Sequence, residues 1–143
     1  MKYIKRYWQI IFPIIIMIII WKFSSQNSFE SDSISIPLAA KLGLTNHTVR
    51  KLAHFIIYAL LGLSWANFFR SINKKFPTLK TTLLPLLFSA IYAIIDEYHQ
   101  NLVFGRDGNR IDVVIDSLGA LAGICIFVAI FCFIRYRKAT KKK

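Results

Sequence analysis

The sequence predicts an all-α membrane protein of four transmembrane helices with both termini in the cytoplasm. Three observations predict it. Hydrophobic residues make up 55% of the 143-residue chain and its mean hydropathy is +0.48, too apolar for an ordinary soluble domain of this size. The apolar residues gather into four runs, about 8–23, 50–69, 79–100 and 111–134, and a helical span takes about 20 residues. Lysines and arginines are shared unevenly between the segments that those runs separate. No stretch is left over for a second domain, so residues 1–143 read as one unit.

The first run follows Lys2, Lys5 and Arg6 and has an isoleucine-rich centre between Trp8 and Trp21. No small-x-small cleavage site follows it, so it is expected to stay as a span with the two tryptophans at its interfaces. Ser24 to His47 is a serine-rich polar connection. Within it Pro37 is expected in the first turn of a short helix that runs through Lys41 and is ended by Gly43. Thr45 or Asn46 is expected to cap the second long helix. The Asn46-His47-Thr48 glycosylation pattern is the weaker explanation of the same residues.

The second span carries Arg50 and Lys51 in its first turns. Cations there oppose the helix macrodipole, so they call for an acidic partner elsewhere. Arg50, His54 and Tyr58 share one face. The third apolar run, Thr81 to Ile95, is too short to span, so its helix has to continue through Asp96 to Gln100 or borrow residues before Thr81. Gly105 to Asn109 reads as a turn. In the fourth span Asp112 and Asp116 lead into Gly119 and Gly123, a spacing suited to close helix contact in lipid.

With four spans, one side of the membrane receives 13 cations and no acid; the other receives six cations and all seven acids. The positive-inside rule then puts both termini in the cytoplasm. The net charge of +12 is explained by topology and by anionic lipid, not by nucleic acid. No G-x-G-x-x-G, Walker loop or C-x-x-C occurs, so no cofactor is expected. Cys125 and Cys132 fall inside the last apolar run and read as inert thiols.

This topology gathers the start of helix two, the end of helix three and the start of helix four at the outer face. Five of the seven acids lie between Asp96 and Asp116. Ionisable groups at such a boundary are costly to desolvate, and each needs a named role. One reading is structural, with Arg50 and Lys51 neutralising Asp96, Glu97, Asp112 and Asp116, and Arg106 and Arg110 capping the cluster. A second is a binding pocket in which Arg50, Lys51, Tyr58, His99, Gln100, Arg106, Asp112 and Asp116 hold the anionic part of an amphiphile. A third is an enzyme in which Asp96 or Glu97 is base or nucleophile, Asp116 being a further candidate, and His54 or His99 carries a proton. A metal site of His54, His99 and the acids has weak support, because the histidines sit on different helices and no H-E-x-x-H exists; no metal ligands are assigned.

Arg50-Lys51-x-x-His54-x-x-x-Tyr58 with Leu61-Gly62, then Asp96-Glu97-x-x-Gln100, Gly105-Arg106, Asp112-x-x-x-Asp116 and Gly119-x-x-x-Gly123, resemble in order and spacing the motifs of VanZ-like membrane proteins. Ser24-Ser25-Gln26 after helix one fits too, and the resemblance covers roughly residues 8 to 134. It implies a small multi-pass protein of the bacterial plasma membrane. The family is named from a member associated with low-level resistance to teicoplanin, a lipid-bearing glycopeptide. The expected function is therefore that of an accessory cell-envelope protein. Its partners are membrane lipids and a lipid-linked or lipophilic molecule at the outer leaflet, with a membrane-embedded hydrolase or transferase on such a substrate as the alternative.

Overall fold

The computed structural model describes residues 7–73, 77–106 and 108–141. Lys2, Lys5, Arg6, Lys74, Lys75, Asp107, Lys142 and Lys143, which enter the charge count or the expected turn, lie outside the described residues. A 3-10 turn over Trp8–Ile10 leads into α1 (Ile11–Ser24). Then come α2 (Ser28–Leu42), α3 (Asn46–Ile72), α4 (Leu79–Gln100) and α5 (Arg110–Thr140), with no strand among the described residues. Three helices are long and apolar enough to cross a membrane. A fourth crossing is counted only if the pair Trp8–Ser24 and Ser28–Leu42, bent by 102°, makes one span.

The main departure from the sequence reading is α2. The polar connection is a fifteen-residue helix, and Pro37 is its tenth residue rather than part of its first turn. The helix starts earlier because Asn27 and Glu30 form a capping box: Asn27 Oδ1 accepts from Glu30 N at 2.9 Å, and Glu30 Oε2 accepts from Asn27 N at 3.1 Å. Pro37 has no N–H to give to the carbonyl four residues back, yet the helix runs through it. Gly43 ends it at φ 66°, as expected of a residue that must turn left-handed. Thr45, not Asn46, caps α3, its hydroxyl accepting from Thr48 N at 3.2 Å. α5 continues to Thr140, beyond the expected end at 134, because nothing breaks it and Arg137 and Lys138 in its last turn suit the negative end of the helix dipole.

The closest pairing in the bundle is α3 against α5, and its cause is the small residues. A Cβ added at Gly119 would run into the backbone carbonyl of Phe55, one at Gly123 into that of Ala59, and one at Gly62 into that of Ala120. The two backbones meet at three successive turns where no side chain intervenes. α4 packs on both helices. A core of Ile20, Tyr58, Leu61, Trp65, Phe68, Tyr92 and Ala93 joins α1, α3 and α4. Tyr92 donates its hydroxyl proton to the Met17 carbonyl at 2.6 Å and so fixes α1 to α4.

The distribution of polarity is the reverse of that in a water-soluble bundle. Asp96, Asp116, Ser89, Glu97 and Gln100 are buried. Ile14, Ile18, Ile56, Leu60, Leu87, Ile91, Leu118, Ile126 and Phe133 point outwards and exposed. Such a surface is satisfied by hydrocarbon rather than water, while the helices hold their own backbone hydrogen bonds.

Candidate functional site

The site lies where the first half of α3, the end of α4 and the start of α5 meet, with α1 and α2 closing one side. α3 contributes Arg50, Lys51, His54 and Tyr58. α4 contributes Asp96, Glu97 and Gln100, and α5 contributes Asp112 and Asp116. The loop between α4 and α5 brings Arg106.

Its centre is His54, Asp96 and Asp116. One potential ligand atom of each lies within 4.8 Å of those of the other two. His54 Nδ1 is 3.4 Å from Asp116 Oδ1, and the Asp116 side chain has no exposed surface. Asp96 is equally buried and accepts from Gln100 Nε2 at 3.3 Å through Oδ2. Ser24 and Tyr58 also face Asp96. Asp96 Oδ1 and both oxygens of Asp116 accept no hydrogen bond among the described residues.

Around this centre the charges are paired differently from the sequence expectation. Lys51 does meet Asp112, at 3.6 Å. Arg50 instead reaches Asp32 of α2, at 3.9 Å, with both side chains about a third exposed. Among the described residues no lysine or arginine forms an ion pair with Asp96 or Asp116. The expected neutralisation of those two acids by Arg50 is therefore corrected: the helix within residues 24–47 carries its own acid to Arg50. Glu97 is held by the backbone, its Oε2 accepting from Asn109 N at 2.7 Å, and so ties the end of α4 to the cap of α5.

Arg106 is buried and donates from Nη2 to the Phe23 carbonyl at 3.3 Å, which attaches the loop to α1. Burial pulls its guanidinium below the ordinary arginine range, and the like charge of Arg50 pulls the same way; Asp96, Glu97 and Asp32 oppose them. Arg110 is exposed at the start of α5 and forms no ion pair with the cluster's acids among the described residues. His99 also stands apart. Its ring stacks on Trp21 at 3.8 Å between centroids, and its Nε2 is 3.0 Å from Ser25 Oγ. It joins α1 to α4, and Trp21 is its partner as well as an interface marker.

Two cavities open beside the cluster. One, of about 370 Å³, lies between α1, α2 and α3 and is mostly apolar, with Ile20, Phe23, Ile34, Leu38, Val49 and Ile57 in its wall. The other, of about 270 Å³, is mostly polar and is lined by His47, Lys51, Gln100, Asn109 and Asp112. Arg50, His54 and Arg106 belong to both walls. The apolar cavity could not be read from the sequence, because one of its walls, Ser31, Ile34, Ser35 and Leu38, comes from α2. The signal that was there is Asn27-x-x-Glu30, a helix start followed two residues later by Asp32.

Helices apolar enough to span, a polar interior and a buried histidine–carboxylate cluster beside paired cavities define a membrane-embedded helical bundle with an internal polar site. The chain belongs to the VanZ/LLP1 family, whose model matches residues 9–133. No curated protein and no solved structure matches it.

Proposed function

We propose that this VanZ-like cell-envelope protein crosses the bacterial plasma membrane four times with both termini in the cytoplasm, and binds an anionic amphiphile at the outer leaflet. The apolar tail occupies the 370 Å³ cavity and the anionic head meets Arg50 and Arg106. The observation that carries this reading is the shared wall: the same two guanidinium groups border an apolar cavity and a polar one. Arginine binds phosphate or carboxylate through a fork of parallel donors. Two neighbouring arginines of like charge, one of them buried, gain from an anion between them. The ligand class is a lipid-linked or lipophilic molecule, and the lipid-bearing glycopeptide teicoplanin is one member of it by the family's name.

A test is native mass spectrometry of the purified protein with phosphatidic acid and with diacylglycerol of the same chains. The expected result is retention of phosphatidic acid over diacylglycerol. Arg50→Gln and Arg106→Gln should each abolish that preference. Equal retention of both lipids by the wild type would overturn the proposal.

The second reading, a hydrolase or transferase on the same class of molecule, is favoured by the His54–Asp116 pair, since a general base is commonly oriented by such a carboxylate. Asp96→Asn and Glu97→Gln keep side-chain shape, His54→Gln keeps some hydrogen bonding, and all three remove proton transfer. A positioned acid or base contributes about 10²–10⁴ in rate, so at normal abundance one of the three should lose nearly all function if bonds are broken. Glycopeptide tolerance of a dependent strain, with protein level measured alongside, reads this out. Wild-type behaviour in all three would end the catalytic reading.

A further inference from the structure

We infer that His54, Asp96 and Asp116 form a binding site for one divalent transition-metal ion, of the Zn²⁺ or Mn²⁺ type.

The argument begins with an imbalance. Asp96 and Asp116 are fully buried, and neither is in an ion pair with a lysine or arginine among the described residues. The cations of the site are engaged elsewhere, Lys51 with Asp112, Arg50 with Asp32, and the buried Arg106 with the Phe23 carbonyl. Among the described residues three of the four carboxylate oxygens accept no well-formed hydrogen bond, and His54 Nδ1 meets Asp116 Oδ1 only at 3.4 Å. Isolated buried carboxylates are too costly to persist without a compensating charge or proton. A divalent ion supplies two positive charges and an electron-pair acceptor for these oxygens at once.

The geometry suits that ion. Bonds of about 2.0–2.2 Å to nitrogen and oxygen in a tetrahedron put neighbouring donor atoms about 3.4 Å apart. His54 Nδ1 and Asp116 Oδ1 are 3.4 Å apart, whereas a well-formed N–H···O hydrogen bond has its heavy atoms nearer to about 2.9 Å. The third donor, from Asp96, lies within 4.8 Å of both. Closing it to a tetrahedral edge takes a shift of about 1.4 Å at most, within reach of a side-chain rotation. One imidazole and two carboxylates suit Zn²⁺ or Mn²⁺ better than Mg²⁺, which prefers oxygen and keeps its waters. Three protein ligands leave at least one coordination position for water or an anionic oxygen. The ligands come from α3, α4 and α5, so no linear motif announces them.

This inference stands on the buried carboxylates and does not depend on the amphiphile reading. The test uses full-length protein purified in detergent, stripped with a chelator and titrated with Zn²⁺ and with Mn²⁺. The expected result is one ion per chain, seen for Mn²⁺ as loss of the free-ion electron paramagnetic resonance signal and reversed by Zn²⁺. His54→Gln, Asp96→Asn and Asp116→Asn should each weaken binding at least tenfold. In the wild type, Zn²⁺ or Mn²⁺ should raise the melting temperature by mass action and Mg²⁺ at the same concentration should not. That readout needs no variant, so a variant that fails to fold does not blunt the test. No retained ion and no rise in melting temperature would overturn the site, as would unchanged affinity in all three variants. If the two aspartates instead share a proton, Asp96→Asn should stabilise the metal-free protein and metals should have no effect. The phosphatidic acid measurement is run in chelator, so its failure and the failure of this site are told apart.

Discussion

His54 Nδ1 faces Asp116 Oδ1 at 3.4 Å and links α3 to α5 beside their closest backbone contact. Asp116 has no exposed surface, so His54 meets it away from solvent. Removing one member of a buried polar pair leaves the other without a partner, which costs about 1–3 kcal/mol. In chelator, His54→Ala should therefore lower the melting temperature sharply. Asp116→Asn in the same background should recover much of the loss. Additive effects of the two substitutions would show that they do not interact.

Arg50 and Asp32 should behave differently. Both are about a third exposed at 3.9 Å, and such pairs are worth at most about 1 kcal/mol. Arg50→Ala is expected to fold and accumulate normally. Any mild instability should be relieved by Asp32→Asn and not by Asp96→Asn. Relief by Asp96→Asn would mean that Arg50 serves the buried acids after all. Abundance and melting temperature of the three variants settle the point.

The glycine contacts give a steric prediction. A methyl at Gly123 has to displace the Ala59 carbonyl backbone, which has no rotamer to yield. Overpacking of this kind costs about 1–3 kcal/mol or more. Gly123→Ala and Gly119→Ala should each lower thermal stability in detergent, while Gly43→Asn, with open space around it and a residue tolerant of its φ, should cost little. Stability of Gly123→Ala equal to wild type would refute the close α3–α5 approach.

Topology is tested by reporter fusions. Fusions at the N-terminus, after Asn73 and after Lys141 should all report cytoplasm, and one after Leu44, beyond the α1–α2 pair, should report the outside. An N-terminus and a C-terminus on opposite sides would mean an odd number of crossings. In that case α1 and α2 would form a re-entrant pair rather than a span.

Much of the site was legible because three of its parts are helical repeats in a short stretch. Arg50, His54 and Tyr58 recur every four residues, as do Asp96 and Gln100, and Asp112 and Asp116, so their shared faces follow from helix geometry alone. Gly119 and Gly123 announced the contact that the structure shows. What was hidden depends on residues far apart in the chain. The serines argue locally for a loop and Pro37 for a late helix start, and that masked the first half of α2 and with it Asp32 and one wall of the apolar cavity. Trp21 and His99 are 78 positions apart by number, and their stacking at 3.8 Å has no local signature. For the same reason periodicity could not show that Arg50 leaves the buried acids to His54.

The backbone contact between α3 and α5 has a consequence for chemical selectivity. Phe55 follows His54 directly, and Gly119 comes one turn after Asp116, so the contact of Gly119 on Phe55 sets how far apart the imidazole and the carboxylate stand. The gap is thus gauged by the interaxial distance of two rods rather than by flexible side chains. Adding bulk at Gly119 would pry the donors apart without altering either one. The size of ion or proton bridge that fits between them is governed by a residue that has no functional group at all.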